Sequence, residues 1–582
     1  CEAQEAEAMR RKKRWVFLAL IVIVVAAVVL ARREPRIEPG SFLVVQVRGS
    51  YSEGHSRGPL EWLLGAPQLT LADLLLELEK ASVDERLRGV ILKLSPIDLS
   101  FAKIQEIRAA LQALQAKGKA VIAWVMGEAE SGNGEYYLAS VADKVYFAEN
   151  TILPLVGLRA RYLFLGGMWE HLGIEMQVEQ LKEYKTFGDI LVRQTMSEAH
   201  REMANALLDN LNEQFLRDIA AARQLTPKQL QSLIDAPTMS PEDYHQAGLI
   251  DGIRYYGELL RDLGQGTGEA AKTVSLSTYR QVKPTSVGLR RGPKIAVVYG
   301  VGSVTTGKSS WNATGASMGS ETLVEALEEA SQDQTIKAIV LRIESPGGSA
   351  LASDLIWHAV MQAKASKPVI VSMSSVAASG GYYVSASATK IVAAPATLTG
   401  SIGIVVLHAN IQGLLAKLGL TTETLTRGRY ARLFDMSQSW SAEQRQQIKR
   451  LLGGLYQTFV RKVATGRKLS VDEVERIGGG RVWTGEQAQE LGLVDALGGM
   501  ATALHIAKEE AGIAAELNAQ LVYYPKSPGI LGTLLERLSE RVRATVTLPQ
   551  PLRDFVRHLP ASPFIDQRPG PLFAMPILLH IR

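Results

Sequence analysis

The chain has 582 residues, 46% hydrophobic and 21% charged, which is ordinary globular usage and excludes a collagen-like, wholly disordered or coiled-coil chain. Its 64 Lys and Arg outnumber 59 Asp and Glu for a net charge of +5, and the excess sits largely in the N-terminal tail, so nucleic acid is a poor partner. The single cysteine, Cys1, permits neither an intrachain disulfide nor a Cys-based zinc site, and no metal or organic cofactor is indicated.

Residues 1–14 read as a basic cytoplasmic tail ending in Arg10-Arg11-Lys12-Lys13-Arg14. The uncharged run Trp15 to Ala31 follows, and its 17 residues as a helix span about 25 Å, the short end of what crosses a bilayer. A transmembrane signal-anchor is therefore predicted for residues 15–31, with a cleaved signal peptide as the rival reading. Arg32, Arg33 and Arg36 beyond the span leave only a narrow positive-inside bias toward a cytoplasmic N-terminus and an extracytoplasmic body. Met9 opens MRRKKRW, which makes Cys1 to Ala8 look like an upstream extension.

Beyond the anchor, the chain matches itself. LADLLLELEKASVDERLRGVILKLS from Leu71 parallels ETLVEALEEASQDQTIKAIVLRIES from Glu321, each an amphipathic helical stretch followed by an apolar, β-branched strand. EYYLASVADKVY parallels GYYVSASATKIV, and HQAGLIDGI parallels AQELGLVDAL. Leu341 lies 249 residues after Leu92, Lys390 lies 246 after Lys144, and Gly492 lies 244 after Gly248, so the copies differ by small insertions. Residues 32–275 and 294–515 are predicted to be tandem α/β units, each with a mainly parallel sheet. Residues 276–293 are turn-rich and read as the linker. From Glu516 the repeat is exhausted, and residues 516–582 read as an extension.

The copies differ where chemistry would sit. The second reads ESPGGSALAS and then VAASGGYYVS; the first reads LSPIDLSFAK and ESGNGEYYLAS, so Ser379 stands opposite Asn133 and Gly381 opposite Glu135. AASGG between a strand and a helix puts Ser379 at a strand-to-helix turn, where its hydroxyl stands exposed and the next amide points to the same place. Gly347 and Gly348 of the PGG turn would let bare backbone approach a substrate carbonyl. The first copy reads KEYKTFGD and the second RGRYARLFD, which aligns Lys185 with Ala431. An unprotonated lysine can take a serine proton if burial depresses its pKa from about 10.4 toward neutrality.

EYKTFGD with Lys185, SPGGS with Gly347 and Gly348, AASGGYY with Ser379, and LTGSIGI with Ser401 together resemble the long, tandem-repeat form of signal peptide peptidase A (protease IV), over nearly the whole chain. The resemblance implies a duplicated ClpP/crotonase-like domain and a serine endopeptidase of the Ser/Lys dyad class. Carried over residue by residue, it implies Ser379 as nucleophile, Lys185 as base, Ser401 as the hydroxyl that orients the lysine, and the amides of Gly348 and Gly380 as oxyanion donors. It further implies a homotetramer, single-pass in the bacterial inner membrane with its body on the periplasmic side, which degrades cleaved signal peptides.

Four other readings compete. A Ser/His/Asp protease would use Ser379, His408 and Asp435, an order compatible with a triad, although His408 in the apolar IVVLHANI run also suits a core histidine. Gly302-SVTT-Gly307-Lys308-Ser309 has P-loop spacing, but breakers up to Ser320 deny it the helix that a phosphate site needs. A noncatalytic membrane scaffold and a crotonase-like acyl-CoA enzyme complete the set.

Overall fold

Amphipathic helices alternating with β-branched apolar runs force a layered α/β architecture, because each helix has one stripe to bury and each strand two faces. The computed structural model describes residues 34–54, 69–128, 132–236, 239–264, 269–312, 315–526 and 572–574. The predicted tail and signal-anchor lie outside these, and among the described residues no helix is long and apolar enough to cross a membrane.

The first half contributes β1 (Ser41–Gly49), β2 (Leu87–Ile97), β3 (Ala120–Val125), β4 (Lys144–Phe147), β5 (Glu175–Gln180), β6 (Gly252–Ile253) and β7 (Thr273–Ser275). All but β5 form one sheet in the order β6-β4-β3-β2-β1-β7, with every pair parallel. The second half contributes β8 (Arg290–Val301), β9 (Ser303–Thr305), β10 (Ser310–Asn312), β11 (Gly315–Gly319), β12 (Ile336–Ser345), β13 (Gly347–Ser349), β14 (Val369–Ala378), β15 (Lys390–Ala393), β16 (Leu398–Gly400), β17 (Val405–Asn410), β18 (Val482–Thr484), β19 (Ala496–Leu497) and β20 (Leu517–Tyr524). Its parallel path β19-β15-β14-β12-β8-β20 repeats the order of the first sheet, while β16 pairs parallel with the last residues of β14 and β18 pairs antiparallel with β16.

Helices make the crossovers that parallel strands require. Leu71–Val83 buries Leu71, Leu74, Leu75 and Leu78, and its counterpart Ser320–Gln332 buries Leu323, Ala326, Leu327 and Ala330, the same helical stripe in both copies. Thr70 caps the first of these through a capping box with Asp73.

Two boundaries differ from the sequence reading. β8 begins at Arg290, inside the stretch read as linker. β20 lies inside the stretch read as an extension, yet it pairs parallel to β8 as β7 pairs to β1, so the second unit runs on to Tyr524. The counterpart β7 has only three residues, too short for the self-comparison to detect.

A third sheet, β10-β11-β9-β13-β21-β17-β5, draws strands from both halves, with β21 being Leu572–Ala574. In it β5 of the first half runs antiparallel to β17 of the second over all six of its residues, from Glu175 opposite Asn410 to Gln180 opposite Val405. This pairing carries the chain that follows β5 across to the other half.

A buried ionic knot also ties the halves. Arg342 on β12 donates to Glu53 at 2.8 and 3.1 Å and to Glu106 at 2.6 Å, with all three side chains about 1% exposed. Ser374 Oγ donates to Glu53 and the Met500 amide to Glu106, so the carboxylates from the first half are satisfied by groups from the second. Removing one partner of such a cluster leaves buried charge uncompensated. Arg342→Met is therefore expected to lower the free energy of unfolding by about 3–5 kcal/mol, read from denaturant midpoints; a change within experimental error would show the knot to be dispensable.

Candidate active site

Strand β14 ends at Ala378, and Ser379 turns the chain with φ 55° and ψ −113°, a region that residues with a Cβ rarely occupy, before the helix Gly380–Ser385 begins. The turn is held by the Ser379 amide donating to Gly400 O at 2.8 Å. The glycines after the serine answer to crowding. A Cβ on Gly380 would lie 2.6 Å from Ser353 Oγ and 3.2 Å from Gly348 N, and one on Gly381 would lie 2.8 Å from Ser345 O. Gly348 N therefore sits beside Gly380, and both residues flank the Ser379 turn.

Lys185 arrives on the segment that leaves β5. Its Nζ lies 2.7 Å from Ser379 Oγ, 2.9 Å from Ser401 Oγ and 3.0 Å from Ser401 O. Lys185, Ser379 and Ser401 are each fully buried. Among the described residues the amine meets two hydroxyls and a carbonyl, and burial pushes its pKa well below the ordinary lysine value. A neutral amine at that distance has a lone pair aimed at the serine proton, which is what general-base activation of a hydroxyl needs. Ser401, with φ 52°, is a second strained residue touching the same amine.

Between β13 and β17 the third sheet has a slot one strand wide, which β21 fills here, running antiparallel to Gly347–Ser349 and meeting Val405 on its other edge. The slot passes the two glycines beside Ser379. An extended peptide can be held there by main-chain hydrogen bonds.

The equivalent place in the first half is shut. Glu135, opposite Gly381, accepts the Ile97 amide at 2.8 Å, and Asn133, opposite Ser379, donates to Gly157 O at 2.8 Å.

A serine and a buried amine brought together across a duplication identify a chemistry; sequence relatives identify the lineage. The sequence profile of peptidase family S49 matches residues 113–268 and again 361–514, together more than half of the chain and once in each half. The chain belongs to peptidase family S49. It is 34% identical over 513 residues to the chloroplastic serine protease SPPA of Arabidopsis thaliana, covering 87% of this chain and 74% of that protein. It is 31% identical to Protease 4 of Salmonella typhi, over 83% of this chain and 79% of that one, and 29% identical to Protease 4 of Haemophilus influenzae, over 76% and 73%. This S49 chain is thus a serine peptidase of the Protease 4 type.

The competing residues are not at the site. His408 Nε2 pairs with Gln438 O at 2.8 Å and its ring stacks on Trp440 at 4.6 Å, a satisfied histidine on β17. Asp435 is bound by Ser437 and Arg432, which hold its pKa at about 2, and its carboxyl bonds to those residues rather than to His408. The Ser/His/Asp reading is therefore corrected. Lys308 and Ser309 lie between short strands, and the next helix starts only at Ser320, so the P-loop spacing is a chance match.

Two further glycines, which the sequence analysis does not name, shape the surroundings of Lys185. A Cβ on Gly480 would lie 2.4 Å from Lys185 N, and one on Gly403 would lie 3.2 Å from Lys185 Cδ, so both glycines wall the lysine. Comparing IGGGRVWTG with its counterpart in the first half was the available signal.

Proposed function

We propose that this S49 peptidase is a membrane-anchored endopeptidase that uses a Ser379/Lys185 dyad, on a duplicated ClpP/crotonase-like fold, to degrade cleaved signal peptides. The observation that carries the reading is the 2.7 Å approach of Lys185 Nζ to Ser379 Oγ between residues contributed by different halves. Ser379 attacks the peptide carbonyl, and Lys185 accepts the hydroxyl proton and returns it to the leaving amine. Water then resolves the acyl-enzyme. Ser401 orients the amine, and the amides of Gly348 and Gly380 stabilise the oxyanion.

The strand-wide slot supports an extended peptide as substrate, and the apolar run at residues 15–31 supports anchoring in the bacterial inner membrane with the body on the periplasmic side. A homotetramer is part of the same reading. Leu425 and Phe434 are exposed apolar side chains on the segment equivalent to the lysine-bearing one, and a second copy would cover them.

Full-length protein in detergent, incubated with a synthetic signal peptide, is expected to cut it within the apolar region, with no cutting by Ser379→Ala. Signal peptides left intact while an unstructured polar peptide is cleaved would contradict the substrate assignment.

A further inference from the structure

The halves also diverge between Ile477 and Thr484. Aligned on the helix N-caps Thr484 and Ser240, the second half reads Gly478-Gly479-Gly480-Arg481-Val482-Trp483 where the first reads Ile234-Asp235-Ala236-Pro237-Thr238-Met239. Gly479 and Gly480 face the incoming lysine segment. Gly480 has φ 88°, and a Cβ there would lie 2.4 Å from Lys185 N, 2.5 Å from its Cα and 2.6 Å from its Cβ; a Cβ on Gly479 would meet Lys182 Cβ at 3.5 Å. No side chain fits between the two backbones at Gly480.

The same turn grips the other partners of the lysine. The Gly480 amide donates to Ile402 O at 2.8 Å, and Arg481 O accepts the Ser401 amide at 2.7 Å, which braces the strained residue whose hydroxyl and carbonyl contact the amine. Arg481 then reaches into the first half. Its guanidinium makes two parallel bonds to Glu202, at 2.7 and 2.8 Å, and lies 4.8 Å from the ring centre of Tyr184, the residue before Lys185.

We propose that the Gly479–Arg481 turn is a positioning element of the reaction, which seats the lysine-bearing segment of one half on the serine-bearing half and fixes the Lys185 amine between Ser379 and Ser401. It acts through Lys185 and meets no substrate. The repeat supports this by its asymmetry: the second half, against which Lys185 packs, carries Gly479, Gly480 and Arg481, where the first half has Asp235, Ala236 and Pro237 in sequence. The inference rests on the Ser379/Lys185 reading.

The test uses full-length Gly480→Ala, Arg481→Met, Glu202→Gln and the Arg481→Met/Glu202→Gln double variant, with Lys185→Met as reference. Each is measured for kcat, KM, unfolding midpoint and the fraction of Ser379 that a fluorophosphonate can titrate. Displacing a catalytic group by about 1 Å costs about 100-fold, so Gly480→Ala is expected to lose about 100-fold in kcat per titratable site at unchanged KM. Arg481→Met and Glu202→Gln are each expected to lose about tenfold, the double variant losing no more than the worse single, because they break one contact.

A merely structural turn would lower the midpoint and the titratable fraction while leaving kcat per site at the wild-type value, and that result overturns the inference. If Gly480→Ala does not fold, the Arg481 and Glu202 variants decide by the same ratio. A fully active Lys185→Met would instead overturn the dyad itself, whereas an inactive Lys185→Met beside normal Arg481 and Glu202 variants would overturn only the positioning role.

Discussion

Replacing Lys185 by Met is expected to abolish peptide hydrolysis and at the same time to raise the unfolding temperature at neutral pH. The loss of activity follows from the site: with the amine gone, the two hydroxyls remain and no other base among the described residues is bonded to Ser379 Oγ to accept its proton. Members of such a unit fail together, so kcat should fall by at least about 10⁴-fold, and adding Ser379→Ala should make matters little worse.

The gain in stability follows from linkage. Burial holds the Lys185 pKa well below its ordinary value in the folded state, so between that depressed value and about 10.4 the unfolded chain binds more protons. Wild-type stability should therefore rise with pH across this window and fall as pH drops toward the folded pKa. Met fills similar space without a proton to lose, so the variant should be more stable below that window's upper end and lack the slope. Activity has the same sign, since the amine must be unprotonated to act: hydrolysis should persist well below the ordinary lysine pKa and fail on further acidification. Thermal melts from pH 6 to 10 beside rate profiles read both effects, and a Met variant that is inactive because it is unfolded would fail the first of them.

The second large effect is expected at Gly348. A Cβ there would lie 2.2 Å from Val304 O and 2.7 Å from Val304 N, both backbone atoms of the adjoining strand, so Ala forces β13 away from β9. The Gly348 amide then leaves the position beside Gly380 and Ser379. Loss of one oxyanion donor costs about 2.7–4 kcal/mol of transition-state stabilisation, or about 10²–10³-fold in kcat. Gly348→Ala should show that loss with Ser379 still within reach of Lys185. Full activity would remove Gly348 from the oxyanion site.

Self-comparison made much of this legible. Ser379 opposite Asn133 and Lys185 opposite Ala431 pointed to a site split between copies, because a position that must serve structure in both copies shows its chemistry only where the copies differ. What the sequence could not show is how the copies meet. The pairing of β5 with β17 joins Glu175–Gln180 to Val405–Asn410, segments far apart in the chain with no motif to announce the contact. Nothing in the strand sequence AIVLRIES marks Arg342 as part of an ionic cluster, since its carboxylate partners Glu53 and Glu106 belong to the other half. β20 was hidden by the shortness of its counterpart. His408 satisfied the order of a triad, and only the placement of its ring against Trp440 and Gln438 removed it.

Activation of a hydroxyl from the second half by an unprotonated amine from the first defines the proposed reaction. Its most direct test is the rate at which a fluorophosphonate modifies the protein, followed against pH, with the labelled residue read by mass spectrometry. A single label on Ser379 is expected in the wild type, with a rate that falls on acidification through one ionisation, and a Lys185→Met rate at least about 10³-fold lower and flat with pH. Equal rates in the two proteins, or a label on any other residue, would contradict it.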